Sequence, residues 1–199
     1  MPPASAAGGD GLGAWRIYKS GMRAETVTVA SAELARARAG DLEALEELYR
    51  AFQAPVYNLG RRICGNEEDA EDVLQDTFLE VCRSIGRFRG DGSLWSWVRR
   101  VAVSKALMLL RRERHRASCS LDGDGGLAGM VGRAPPEPTG PIDLETVLGR
   151  LTPLTRAVLW LHDVEGYTHE EIGELMGKTA SFSKSQLSRA HRRLREWLE

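Results

Sequence analysis

At 199 residues, 42% hydrophobic and 28% charged, the chain has the balance of a soluble protein and enough apolar content for one sizeable core or two small ones. Cations and carboxylates nearly cancel, 27 against 28, but they are unevenly spread: Glu67 to Glu80 holds seven carboxylates and no cation, Lys105 to Arg116 five cations against one carboxylate, and Lys184 to Arg195 five against none. One acidic and two basic surfaces are expected, while Cys64, Cys82 and Cys119 form neither an even set nor a CxxC pair, which gives a disulfide framework or zinc ribbon no support and suits a reducing cytoplasm.

The first thirty residues are rich in Ala, Gly and Pro and have no continuous apolar stretch, so they predict a flexible tail and neither a signal peptide nor a membrane span; Met22 is a second candidate start. Asp41 stands at an N-cap, and Leu42, Leu45, Leu48, Phe52, Val56, Leu59 and Ile63 recur at helical spacing to Gly65, with a bend expected near Pro55. Asn66 caps a second helix whose apolar side is Ala70, Val73, Leu74, Phe78, Val81 and Ile85, ended by Gly86; the carboxylates take its other side. After the loop 87–92, Ser93 caps a third helix with Leu94, Val98, Val101, Lys105, Met108 and Leu109 along one stripe, finishing in Arg111, Arg112, Arg114, His115 and Arg116. Six Gly and four Pro between Ala117 and Pro141, with almost no periodic apolar signal, mark a linker between two domains.

Beyond the linker, Thr152 with Pro153 at the first helical position opens a helix that buries Leu154, Val158 and Leu161 and ends at Gly166. Thr168 and Glu171 form a capping box for a short helix to Met176, Gly177 turns the chain, and a last helix runs from near Phe182 to Leu198. No segment alternates as a strand does. The expected fold is all-α, two small helical domains joined by a flexible linker, each loosely tethered to the other.

The capped helix, tight turn and Arg-rich helix from Thr168 to Leu198 have the layout of a helix-turn-helix. Leu187, Ala190, Leu194 and Leu198 gather on one side of the last helix, and Ser185, Arg189 and Arg192 lie opposite, flanked by Gln186 and Arg193. Such a face suits a major groove, where Gln and Arg can pair with base edges and the other cations neutralise phosphates. The plainer reading is a solvated face on a terminal helix.

The stretch Glu67, Glu68, Asp69, Glu71, Asp72, Asp76 and Glu80 fans carboxylates along a helix instead of converging them, and it has no glycine-centred loop or nearby histidine. It therefore reads as a docking surface for a basic partner before a metal or acid–base site, with a favourable helix dipole as the plain account of its first three members. Phe88, Trp95 and Trp97 stand beside the basic third helix, an arrangement that joins phosphate contacts to stacking on unpaired bases. Trp97 is expected to pack, leaving Phe88 and Trp95 as the exposed aromatics. His162 and His169 flank a turn without a metal-ligand spacing, and no catalytic motif or phosphate-binding glycine loop is present, so no catalytic residue, cofactor or metal is expected.

Three segments resemble the extracytoplasmic-function sigma factors, in the right order around a Gly/Pro linker: Asp69 to Phe78, Phe88 to Trp97 and Val164 to Gly173. The resemblance covers the chain from about Leu34 onward. It implies a tail over 1–30, a region 2 domain over 31–116, a linker over 117–141 and a region 4 domain over 142–199, with no further domain after it. Region 2 would hold core RNA polymerase through Asp69, Glu71, Asp72, Gln75 and Asp76. It would melt the minus-ten element and hold the single strand through Phe88, Arg89, Asp91, Trp95, Arg99, Arg100, Ser104, Lys105, Arg111 and Arg112. Region 4 would read double-stranded minus-thirty-five DNA through Phe182, Lys184, Ser185, Gln186, Ser188, Arg189, Arg192 and Arg193. An anti-sigma factor is the further partner that the resemblance implies, in the cytoplasm and without membrane insertion. The chain departs from the family at Ser104, where Asn is usual, at Met108, and at Phe182 and Gln186, where Thr and Arg are usual. Two other readings compete: a free-standing helix-turn-helix regulator, which has no need of the acidic helix, and a carboxylate-dependent nuclease, which would bind divalent metal through it.

Overall fold

A computed structural model describes Trp15 and residues 29–88, 92–119 and 144–198. Among the described residues every regular element is helical, and they divide into two compact units, one within Ala24–Gly123 and one within Asp124–Glu199 that also includes Trp15. The loop residues Arg89 and Asp91, most of the expected linker and nearly all of the expected tail lie outside the described residues.

The first unit contains α1 (Ser31–Arg38), α2 (Leu42–Cys64), α3 (Glu67–Ser84), a 3-10 turn (Ile85–Arg87) and α4 (Leu94–Cys119). Helix α1 falls where the sequence predicts no element, because its eight residues have almost no apolar periodicity; Ala37 alone is buried. The Asp41 side chain accepts from the Glu43 and Ala44 amides and so starts α2, and the Arg36 guanidinium bound to that carboxylate holds its pKa below the usual value. Helix α2 runs unbroken through Pro55 to Gly65, whose φ of 90° supplies the left-handed cap. Leu48, Phe52, Val56, Leu59 and Ile63 are buried against Val73 and Val81 of α3 and Val98, Ala102 and Ala106 of α4, whereas Leu42 is exposed. At Gly60 a Cβ would come within 3.2 Å of the Ala70 Cα, so this glycine sets how closely α2 and α3 approach.

The second unit contains α5 (Leu144–Gly149), α6 (Pro153–Asp163), α7 (His169–Met176) and α8 (Ala180–Leu198). Thr152 caps α6 with Pro153 at its first position, as predicted, while α5 is an addition. Helix α6 buries Thr155 through Leu161 without a break, so it is covered on all sides and not along the single stripe Leu154, Val158 and Leu161. Leu154 is only half-buried. Helices α7 and α8 pack on it, and Val147, Leu148 and Leu151 complete the core.

Candidate nucleic-acid interface

Asn66 starts α3 by accepting from the Asp69 amide at 2.8 Å, and its own amide donates to Asp69 Oδ2 at 2.6 Å. Asp69 is thereby drawn into the cap and buried, 9% exposed, so it cannot belong to an open docking face. Glu71, Asp72 and Gln75 are exposed and Asp76 is half-buried beside them. Glu80 turns toward α4 and pairs with Lys105 at 3.2 Å. Leu79 lies seven residues beyond Asp72 on the same stripe and is 53% exposed, and Tyr49 of α2 is 39% exposed with its ring edge-on to Phe78. The acidic face therefore runs into an exposed apolar residue at its C-terminal end, which the sequence signals only through the absence of Leu79 from the buried stripe of α3. Among the described residues no three His, Cys, Asp or Glu side chains are grouped to hold a metal ion.

At the start of α4 the expected roles of the aromatics are reversed. The Ser93 hydroxyl accepts from the Ser96 amide at 3.1 Å, which fixes the helix register and sends Trp95 inward to stack on Phe52 at 5.7 Å. Phe88 and Trp95 are each 7% exposed and are core residues, whereas Trp97, its ring 5.5 Å from Phe88, is only half-buried. The buried side of α4 is Leu94, Trp95, Val98, Ala102, Val103, Ala106, Leu107 and Leu110. The predicted stripe through Val101, Lys105, Met108 and Leu109 is rotated from it, because Ala102 and Ala106, both fully buried, have little hydropathic signal. Trp97, Arg100, Ser104 and Arg111 then follow one another at spacings of three, four and seven along the open side. Arg112 is also exposed, and Arg99 and Lys105 are half-buried.

In the second unit the Thr168 hydroxyl accepts from the Glu171 amide while the Glu171 carboxylate accepts from the Thr168 amide, completing the predicted capping box. Gly177 ends α7 at φ 62°. Thr179 then accepts from the Phe182 amide at 3.2 Å, which starts α8 at Ala180, two residues before the predicted position. A Cβ at Gly173 would lie 3.0 Å from backbone atoms of Lys178 and Thr179, so α7 meets the turn before α8 through a glycine. Ser183, Leu187, Ala190 and Leu194 face the core, while Lys184, Ser185, Ser188, Arg189, Arg192 and Arg193 are exposed on the other side. Phe182 is half-buried. Gln186 is also half-buried, and its carbonyl oxygen accepts from Thr155 at 2.7 Å, which draws the side chain toward α6. His162 and His169 stack at 4.4 Å; His169 meets Ser183, and its pKa is lowered by burial, with His162 and Lys184 adding to the effect.

Residues 48–116 match the sigma-70 region 2 family, and residues 142–194 match sigma-70 region 4. The chain is similar to the ECF RNA polymerase sigma factor SigE of Mycolicibacterium smegmatis, with 32% identity over 77% of this chain and 61% of that protein. It is 31% identical to SigM of Mycobacterium tuberculosis, covering 82% of each, and 31% identical to RNA polymerase sigma factor CarQ of Myxococcus xanthus, covering 82% of this chain and 94% of that one. Among solved structures, the sigma factor RpoE of Bartonella quintana, crystallised with the anti-sigma factor NepR, has the same fold at TM-score 0.51 and 22% identity, over 77% of this chain and 95% of that one.

Proposed function

The chain belongs to the extracytoplasmic-function sigma factors of RNA polymerase, and from that premise we propose how its two units divide the work of promoter-specific initiation. Residues 31–116 act as region 2 and 142–199 as region 4, with 117–141 as the linker. The observation that carries this division is the separation of charge: the open face of α3 is acidic, and the open faces of α4 and α8 are basic.

Glu71, Asp72, Gln75 and Asp76, with Leu79 beyond them, dock on core polymerase, where the charges guide encounter and the exposed leucine adds apolar contact. Trp97, Arg100, Ser104, Lys105, Arg111 and Arg112 hold the melted minus-ten strand; an unstacked base needs an aromatic surface to receive it, and the half-exposed Trp97 offers one. Phe88 and Trp95 support that surface from beneath. Lys184, Ser185, Ser188, Arg189, Arg192 and Arg193 meet minus-thirty-five DNA, while Gln186 is held back by its bond to Thr155. All three are binding faces, and the role they serve is that of an initiation factor acting with the polymerase. Its place is the cytoplasm with its DNA; none of the helices described is long and apolar enough to cross a membrane. An anti-sigma factor, as in the Bartonella complex, is its expected inhibitor. The free-standing regulator is disfavoured, because one chain matches both sigma regions.

Affinity for core polymerase tests the docking face. The double variant Glu71→Lys, Asp72→Lys, measured by fluorescence anisotropy, should bind about 10- to 100-fold more weakly with unchanged helical circular dichroism. Wild-type affinity in this variant would remove α3 from the interface.

A further inference from the structure

Trp15 lies before both matched regions, in a stretch whose composition predicts a flexible tail, yet it is 1% exposed. Its indole Nε1–H donates to Asp163 Oδ2 at 2.7 Å, and its ring stands edge-on to Trp160 at 6.4 Å. Asp163, at the end of α6, has a side chain only 7% exposed; it also meets His162 Nδ1 at 2.9 Å and, through the same Oδ2, His191 Nε2 at 2.8 Å. His191 is on α8, between the exposed Arg189 and Arg192. One carboxylate thus joins Trp15, the end of α6 and the basic helix.

A buried tryptophan needs an apolar wall for its ring and an acceptor for its N–H, and both are present. Trp160 provides the wall, itself 5% exposed, and Asp163 the acceptor. A surface aromatic lying on a domain by chance would leave the N–H to water. We propose that Trp15 is a clasp of the C-terminal unit: it seats in a socket of Trp160, Asp163 and His191 and steadies α8 against α6. The occupant is this chain's own Trp15, so any partner that draws it away loosens the helix that carries the basic face. The seating stands on geometry alone; its consequence for promoter binding rests on the reading of α8 given above.

The test uses the full chain, labelled with 15N, with Trp15→Phe to identify the Trp15 indole resonance and Trp15→Ala to empty the socket. In the wild type the Trp15 indole proton should exchange with water at least about tenfold more slowly than that of the half-exposed Trp97, as a proton protected by local structure does. Trp15→Ala should speed amide exchange about tenfold or more at the end of α6 and around His191, and leave α2 to α4 unchanged. A Trp15 indole that exchanges as fast as that of Trp97, or α6 and α8 amides unaffected by Trp15→Ala, would overturn the clasp. Neither outcome touches the sigma-factor reading, which fails separately if the wild type gives core polymerase no promoter selectivity.

Discussion

Asp163 and His169 are three-dimensional neighbours in one cluster and answer pH in different windows. Burial raises the Asp163 pKa, but hydrogen bonds from His191, His162 and Trp15 outweigh it and hold the carboxyl far below the ordinary carboxylate range. Stability from a depressed pKa is complete above the unfolded value and is lost as pH falls through the folded one, so the Asp163 contribution is intact down to about pH 4. His169, pushed below 6.5, favours its neutral form when folded; its contribution is complete above that pH and declines as pH falls toward the folded value. Between pH 7 and 5 the C-terminal unit should therefore weaken through His169 and not through Asp163. In hydrogen exchange on the full chain, His169→Gln should flatten that decline, while Asp163→Asn should lower the stability of α6 to α8 by about 2 kcal/mol at neutral pH. A steeper decline in His169→Gln would contradict the assignment. The caps at Asp41, Asn66, Thr152 and Thr168 were legible in the sequence because their partners are within three residues. The inward bond of Gln186 was not, since Thr155 lies thirty-one positions away.

At the scale of elements, small residues carry information that hydropathy does not. Ala102 and Ala106 decide which side of α4 is inside, and with that side Trp95 and Trp97 exchange their expected places. Leu79 was misplaced by no pattern; it stands out only once the buried stripe of α3 is drawn. Gly173 gives the sharpest test of the helix-turn-helix. Its missing Cβ would press on backbone at 3.0 Å, which cannot rotate aside, so Gly173→Ala should cost about 1–3 kcal/mol and open the α7–α8 turn. Gly149 has nothing within 4 Å, and Gly149→Ala should be neutral or stabilising by a few tenths of a kcal/mol. Thermal melts of the two variants decide it, and equal melting temperatures would show that the turn has slack.

For the molecule as a whole, the charge map and the long periodic helices were enough to read an all-α chain with one acidic and two basic faces. Helices α1 and α5 escaped because they are short, eight and six residues, and Trp15 escaped because nothing around it in the sequence is periodic. On the proposed reading, this chain confers promoter selectivity on core polymerase through the acidic face of α3. In vitro transcription from a genomic fragment library, with core polymerase alone, with the wild type and with Glu71→Lys, Asp72→Lys, tests it most directly. Discrete start sites that appear with the wild type and fade with the double variant are predicted. Transcripts identical to those of core polymerase alone would contradict the account.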